Sequence, residues 1–279
     1  MAITAGSTVA LALLDTAEEL RLHSQFATGV NLRCGEYLVY VSRDPRGAAC
    51  GLQVDADDLA LLRTPGVWRW DGQGLVGRRP GQVVELDSAI VGYPVAPPVV
   101  RNLAGDLDRL VRARAAVGGA SWFDSGPGHE VGLPRLRAAI GRLVAGAPDT
   151  AAAVRSVVGM GVGLTPSADD ALIGALCVLA AVGVPVPEVG RQVCAWLRAD
   201  GAGATTDVSA NYLRLAFEGA FSVPLIRTVA ALADDLPEGV LAGPLRGLSA
   251  VGATSGMDAA VGVQMAWQSL VPALTTVRS

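Results

Sequence analysis

Pro94-Val95-Ala96-Pro97-Pro98 divides the chain into two unlike patterns, and the change across it decides the fold class. Before it, apolar residues alternate. Val30, Leu32 and Cys34 lead to Gly35, and Tyr37, Val39 and Val41 follow, which is the pattern of a hairpin with one buried face. Ala48 to Val54 reads as a further strand, and Asp55 to Leu62 as a short helix. Trp68 and Trp70 run into Asp71-Gly72-Gln73-Gly74, a strong turn signal, and Pro80-Gly81 leads into a strand over Gln82 to Leu86. Short strands at this spacing suggest a small, partly closed barrel or a sandwich.

Beyond the prolines the period becomes helical. Leu103, Leu107, Leu110 and Val111 share one helix face. Leu133, Leu136 and Ile140 begin another helix, which ends at Gly146-Ala147-Pro148. Ala171 to Val182, Val189 to Leu197, Tyr212 to Phe217, Leu225 to Leu232 and Ala259 to Leu270 also read as helices. The expected class is α+β: a β-rich, barrel- or sandwich-like N-terminal domain over residues 1–98, then a larger Ala-rich, mainly helical domain over residues 99–279.

Composition narrows the function. The 279 residues are 51% hydrophobic and 17% charged, with mean hydropathy +0.41, so fibrous and disordered readings are excluded. All 22 basic residues are Arg, and without Lys there is neither Schiff-base chemistry nor a Walker-type phosphate loop. A net charge of −4 argues against nucleic acid. Cys34, Cys50, Cys177 and Cys194 form no CxxC pair and read as buried reduced thiols. With only His23 and His129, a His-rich metal site is excluded. The N-terminus lacks a signal-peptide pattern, since Asp15, Glu18 and Glu19 follow its apolar stretch. The apolar run Ala171 to Val186 is interrupted by Gly174 and Gly183 and is short for a membrane span. A cytoplasmic protein with no membrane partner is expected.

The most unusual segment is Gly159-Met-Gly-Val-Gly-Leu-Thr-Pro-Ser-Ala-Asp-Asp170, set before an apolar helix. Alternate glycines let a backbone approach a ligand closely. Thr165 is a good N-cap, with Pro166 at the first helical position. The N–H groups and helix dipole there suit a phosphate or carboxylate. Asp169 and Asp170 fall in the first turn, where they can hold Mg²⁺ or orient an amine or amide. The plain alternative is an ordinary capped helix with an acidic first turn. No firm metal or cofactor follows; Mg²⁺ is the one to test.

A second segment, Gly252-Ala-Thr254-Ser-Gly-Met-Asp258, matches Gly163-Leu-Thr165-Pro-Ser-Ala-Asp169, with Gly two before Thr and Asp four after it. Each runs into an apolar helix with a further glycine, Gly174 or Gly262. If the two helix starts converge, they form one anion pocket. Between them, Ser209 or Asp207 can cap the helix that carries Asn211, and Asn211 can instead point its amide at a substrate. His23 and Asn31 lie at the edge of the first hairpin, and His129 lies in a loop.

Gly161-Val-Gly-Leu-Thr-Pro-Ser-Ala-Asp-Asp-Ala-Leu-Ile-Gly174 resembles the glycine-rich LTPSGDD signature of a bacterial family long described only as a domain of unknown function. His23-Ser24 with Val30-Asn31-Leu32, Ser209 to Leu213, and Thr254-Ser255-Gly256 with Asp258 and Gly262 are similar to that family's other blocks, so the resemblance runs from about residue 20 to 266. Ala168 departs from the usual Gly and adds a Cβ at the turn. The family includes a subunit associated with oxamate carbamoyltransferase, in bacterial allantoin and purine degradation, where partner subunits are needed. The resemblance implies a carbamoyl-phosphate-linked role with partner subunits, and a homo-oligomer is compatible with it.

Three readings follow. The first is an enzyme or enzyme subunit acting on a small anionic amide or carbamoyl compound. Backbone around Gly161, Gly163, Thr254 and Gly256, with the hydroxyls of Thr165, Ser167 and Ser255 and the amides of Asn31 and Asn211, would bind the substrate. As catalytic residues, Asp169, Asp170 and Asp258 would bind its NH₂ group or a Mg²⁺, and His23 would serve as the base near neutral pH. The second is a non-catalytic subunit that binds a small anion. The third is a hydrolase, isomerase or cyclase that reuses the pocket for another small acid.

Overall fold

A computed structural model describes residues 2–16, 19–77, 82–100, 107–199, 201, 203–233 and 238–277. The expected Pro80-Gly81 turn, together with Glu18, Leu103 and Asp200, lies outside the described residues. The chain forms two compact units, residues 1–95 and 96–279.

The first unit is a barrel of eight strands: β1 (Ala2–Ser7), β2 (Leu20–Gln25), β3 (Gly29–Cys34), β4 (Tyr37–Ser42), β5 (Gly51–Gln53), β6 (Val67–Trp70), β7 (Gly74–Gly77) and β8 (Val83–Tyr93). They pair in the order β1-β5-β4-β3-β2-β6-β7-β8, and β8 returns to β1 in parallel to close the ring. Closure leaves no unpaired sheet edge. Helices α1 (Thr8–Thr16) and α2 (Ala56–Leu62) follow β1 and β5. The β3–β4 hairpin has the register its alternation requires. Val30 opposes Val41, Leu32 opposes Val39 and Cys34 opposes Tyr37, so the alternating apolar residues share one face, and Asn31, Leu38 and Ser42 are buried on the other. Asp71 Oδ1 accepts from the N–H groups of Gln73 and Gly74, which sets the β6–β7 turn.

The second unit is helical: α3 (Leu107–Val117), α4 (Leu133–Ala145), α5 (Thr150–Arg155), α6 (Ser167–Ala181), α7 (Pro187–Arg198), α8 (Asp207–Phe217), α9 (Val223–Ala233), α10 (Glu238–Ser249) and α11 (Ser255–Val277). A 3₁₀ turn (Trp122–Asp124) and a π-helical turn (Gly128–Gly132) precede α4. The apolar run that begins at Ala171 lies in α6, which packs chiefly on α11, with α4, α8 and α9 around it. No helix among the described residues is long and apolar enough to cross a membrane. All four cysteines are buried and none is in a disulfide, and burial pushes the Cys50 and Cys177 thiols up.

Helices α6 and α11 meet backbone to backbone. A Cβ on Gly174 would fall 2.0 Å from the Ala259 carbonyl oxygen, and one on Gly262 would fall 1.7 Å from that of Ala171. The contact is reciprocal, and each glycine meets the carbonyl three residues before the other.

Candidate functional site

The reciprocal contact brings the two helix starts together. Thr165 Oγ1 and Ser255 Oγ lie 2.8 Å apart, so the two Thr-containing loops converge. Their pairing is shifted by one position from the sequence match. The glycine contacts relate residues 88 positions apart, as do the helix starts: Pro166 O accepts from the N–H groups of Asp169 and Asp170, and Thr254 O from those of Met257 and Asp258. Asp258 therefore corresponds to Asp170, and Ser255 to Ser167, whereas matching Thr165 to Thr254 pairs Asp258 with Asp169. The first loop is one residue longer between its last glycine and its helix, and helix register follows the backbone contact.

Residues 159–165 form the loop ahead of α6. Gly159, Gly161 and Gly163 all have positive φ, at 78°, 119° and 101°. A Cβ on Gly159 would fall 1.7 Å from Ala204 O, and one on Gly161 2.6 Å from the Ser167 amide nitrogen, so both conformation and space require glycine there. Thr165 does not cap α6, because its hydroxyl donates instead to Asp170 Oδ2 at 2.9 Å. Pro166 precedes the first helical residue rather than occupying it. The N–H groups of Gly161 to Thr165 and of Ser167 donate to no group among the described residues. Val162 and Leu164 are 65% and 48% exposed at the loop.

The three carboxylates have different surroundings. Asp169 is fully buried and anchored. Its Oδ1 accepts from Gly159 N at 2.8 Å, and its Oδ2 from Thr205 Oγ1 at 2.5 Å and Ser209 Oγ at 2.7 Å. Burial pushes its carboxyl up, and those three donors pull it back. Asp170 has weaker support. Burial pushes it up to about 8, with Asp258 and Asp169 adding to the shift and the hydroxyls of Thr165 and Ser255 opposing it. The shift favours its neutral form near pH 7. Asp258 is fully buried; its Oδ1 accepts from Ser121 Oγ at 2.6 Å and Trp122 N at 2.9 Å, while its Oδ2 has no hydrogen-bond partner among the described residues. Ser167 Oγ is likewise buried, under Gly161, with no hydrogen-bond partner among the described residues.

Helix α8 locks the loop from the other side. Its cap is Thr206, neither Ser209 nor Asp207: Thr206 Oγ1 accepts from Ser209 N at 3.0 Å and donates to Leu164 O at 2.5 Å. Ser209 is thereby free to donate to Asp169. Asn211 is buried on the same helix. Thr205, Thr206 and Ser121 bond to the carboxylates and loop of this site and were not legible as such in the sequence. The Thr205-Thr206 pair before a helix was the available signal for two of them.

Asp169, Asp170, Asp258, Thr165, Ser167, Ser255 and their glycines thus lie in one helical unit. His23 and Asn31 belong to the barrel unit. The β2–β3 register shifts between Leu22 and Ser24, which makes His23 a bulge residue. Ser24 Oγ joins it to Asn31, 3.1 Å from His23 Nδ1 and 3.1 Å from Asn31 Nδ2. No group of three or more His, Cys, Asp or Glu side chains among the described residues is arranged to hold a metal ion.

Residues 157–267 match the family described as oxamate carbamoyltransferase subunit AllH. The matched stretch includes the glycine loop, α8 and both converging helix starts, and His23 and Asn31 lie outside it. No curated protein and no solved structure matches the chain.

Proposed function

We propose that this chain is a subunit of a carbamoyl-transferring enzyme of allantoin and purine degradation, and that the junction of α6 and α11 binds a small anionic carbamoyl or amide substrate. The observation that carries the reading is the 2.8 Å approach of Thr165 Oγ1 to Ser255 Oγ, which aims two helix N-termini at one place. The similarity of residues 157–267 to an oxamate carbamoyltransferase subunit supports the reaction class.

The chemistry then follows from what the residues offer. Unpaired N–H groups of the glycine loop bind the phosphate of carbamoyl phosphate, or the carboxylate of the amide acid. An amide nitrogen attacks the carbamoyl carbon, charge develops on the carbamoyl oxygen, the bond from carbon to the phosphate oxygen breaks, and the proton lost by the nitrogen leaves on the phosphate. Preorganised donors stabilise that oxygen without reorganisation. Asp170, favoured in its neutral form near pH 7, donates a proton or hydrogen bond to a developing anion. Asp169 is a positioning residue that holds the loop against α8.

A second reading, a non-catalytic anion-binding subunit, is favoured by one observation: every described contact to Asp169 is from a neutral donor, as in a purely structural anchor. The test uses the full chain assembled with its partner subunits. Thr165→Val should lower turnover of oxamate and carbamoyl phosphate by about a hundredfold or more while the assembly persists. Unchanged turnover in a folded, assembled Thr165→Val enzyme would refute the site. Anion binding with turnover insensitive to Asp170→Asn would favour the second reading.

A further inference from the structure

In the barrel unit, the β2–β3 pair departs from strict alternation. Arg21 opposes Arg33 and Leu22 opposes Leu32, but Ser24 opposes Asn31, so one extra residue enters β2 at His23. Side chains alternate along a strand, and a single insertion moves those beyond it to the other face. His23 follows Leu22 and therefore shares the face of Arg21 and Arg33. Ser24 would by alternation return to the face of Leu22; the bulge puts it on the face of Asn31 instead, beside His23. Two consecutive side chains of one strand thus point the same way.

The bulge creates a hydrogen-bonded trio. Ser24 Oγ lies 3.1 Å from His23 Nδ1, and Asn31 Nδ2 donates to the same Oγ at 3.1 Å. An amide nitrogen only donates, so Ser24 Oγ accepts from Asn31 and keeps its own proton to give, and His23 Nδ1 is placed to take it. His23 and Ser24 are half-buried, so an incoming molecule can reach both, while Asn31 behind them is 2% exposed. The surrounding turn is pinned. Arg63 Nη2 donates to Phe26 O and Ala27 O, both at 2.8 Å, and Thr28 Oγ1 lies 2.9 Å from the Tyr40 hydroxyl. A hydroxyl within hydrogen-bond reach of an imidazole nitrogen is how a serine is activated as a nucleophile. Bulges gather next to active sites because they re-aim a side chain, and here the re-aimed side chain is that hydroxyl.

We propose that Ser24 and His23 form a nucleophilic dyad that takes up the acyl group of an activated ester or mixed anhydride. Ser24 Oγ attacks the acyl carbon as its proton passes to His23 Nδ1. The bond from Oγ to that carbon forms, and the bond from the carbon to the leaving oxygen breaks with its electron pair on the leaving oxygen. His23 then gives the proton to that oxygen or to water, and the product is an ester on Ser24. An activated acyl compound asks least of such a dyad, because its leaving group departs with little protonation. The dyad lies outside residues 157–267, and the proposal does not rest on the anion site at the α6–α11 junction.

The test is the reaction of the full chain with p-nitrophenyl acetate. Wild type should release p-nitrophenolate faster than buffer alone, and a rapid acid quench followed by peptide mass spectrometry should place an acetyl group on Ser24. With all 22 basic residues Arg and all four cysteines buried, no lysine and no exposed thiol competes for the label. Ser24→Ala should lose both the release and the label. His23→Gln, which keeps a hydrogen-bonding side chain, should be acetylated at the same serine about a hundredfold or more slowly. His129→Gln, which alters the other histidine, should match wild type. Circular dichroism and Tm establish that each variant is folded. Absence of the acetyl group from wild-type Ser24 would overturn the proposal. So would release that survives in Ser24→Ala, or a rate unchanged in folded His23→Gln.

Discussion

Replacing Asp170 with Asn should flatten a pH dependence of stability, with a sign opposite to that of an ordinary acidic side chain. In the folded protein the Asp170 carboxyl is pushed up to about 8, against an ordinary value of 3.8. Between those values the folded state holds a proton that the unfolded state has released. Stability from this group is therefore complete below the unfolded value and is lost as pH rises towards the folded one. The slope is about 1.36 kcal/mol per pH unit. From pH 5 to pH 7 wild type should lose about 2.7 kcal/mol relative to Asp170→Asn, whose amide titrates in neither state. Other groups titrate alike in both proteins and cancel in the difference. Urea denaturation of both proteins at the two pH values measures it, and the midpoints suffice if the slopes agree. A stability gap that stays constant with pH, or widens in favour of wild type, would show that Asp170 is ionised in the fold and would remove the neutral acid from the mechanism.

Three further outcomes are expected. Gly262→Ala places a Cβ 1.7 Å from Ala171 O and should cost about 3 kcal/mol or more by forcing α6 and α11 apart, seen as a lowered denaturation midpoint. Asp169→Ala orphans the Gly159 N–H and the hydroxyls of Thr205 and Ser209; it should cost about 3 kcal/mol or more and cost more than Asp169→Asn, which keeps one acceptor. Thr206→Ala removes the α8 cap and should cost about 1 to 2 kcal/mol, a fall in Tm of about 2 to 8 °C for a chain of this length; an unchanged Tm would show that the cap carries no stability.

The parts of the structure that were legible in the sequence are those fixed by local pattern. The β3–β4 hairpin follows from alternation around Gly35, and α6 follows from an uninterrupted apolar run behind an acidic first turn. Strand β1 was not legible, because Ala-Ile-Thr-Ala-Gly-Ser has no alternation of its own and becomes a strand by pairing with β5 and β8. The π-helical turn depends on Trp122 packing under Gly128 and Gly132, a contact with no sequence period. At the site, Gly and Thr showed that two loops resemble each other, but only the carbonyl contacts of Gly174 and Gly262 reveal which residues pair. Thr165 was misread as a cap for a related reason. A threonine before a helix has a generic local role, and here Asp170 and Ser255, brought in by the tertiary fold, compete for its hydroxyl.

The reciprocal glycines also limit how this protein can recover from damage. Each would-be Cβ meets a main-chain carbonyl, Ala259 O for Gly174 and Ala171 O for Gly262. No truncation of a neighbouring side chain can make room, because the obstructing atom belongs to every amino acid. Intragenic suppressors of Gly262→Ala should therefore be absent at position 171. They should arise as unrelated stabilising changes elsewhere in the helical unit, or as reversion to glycine.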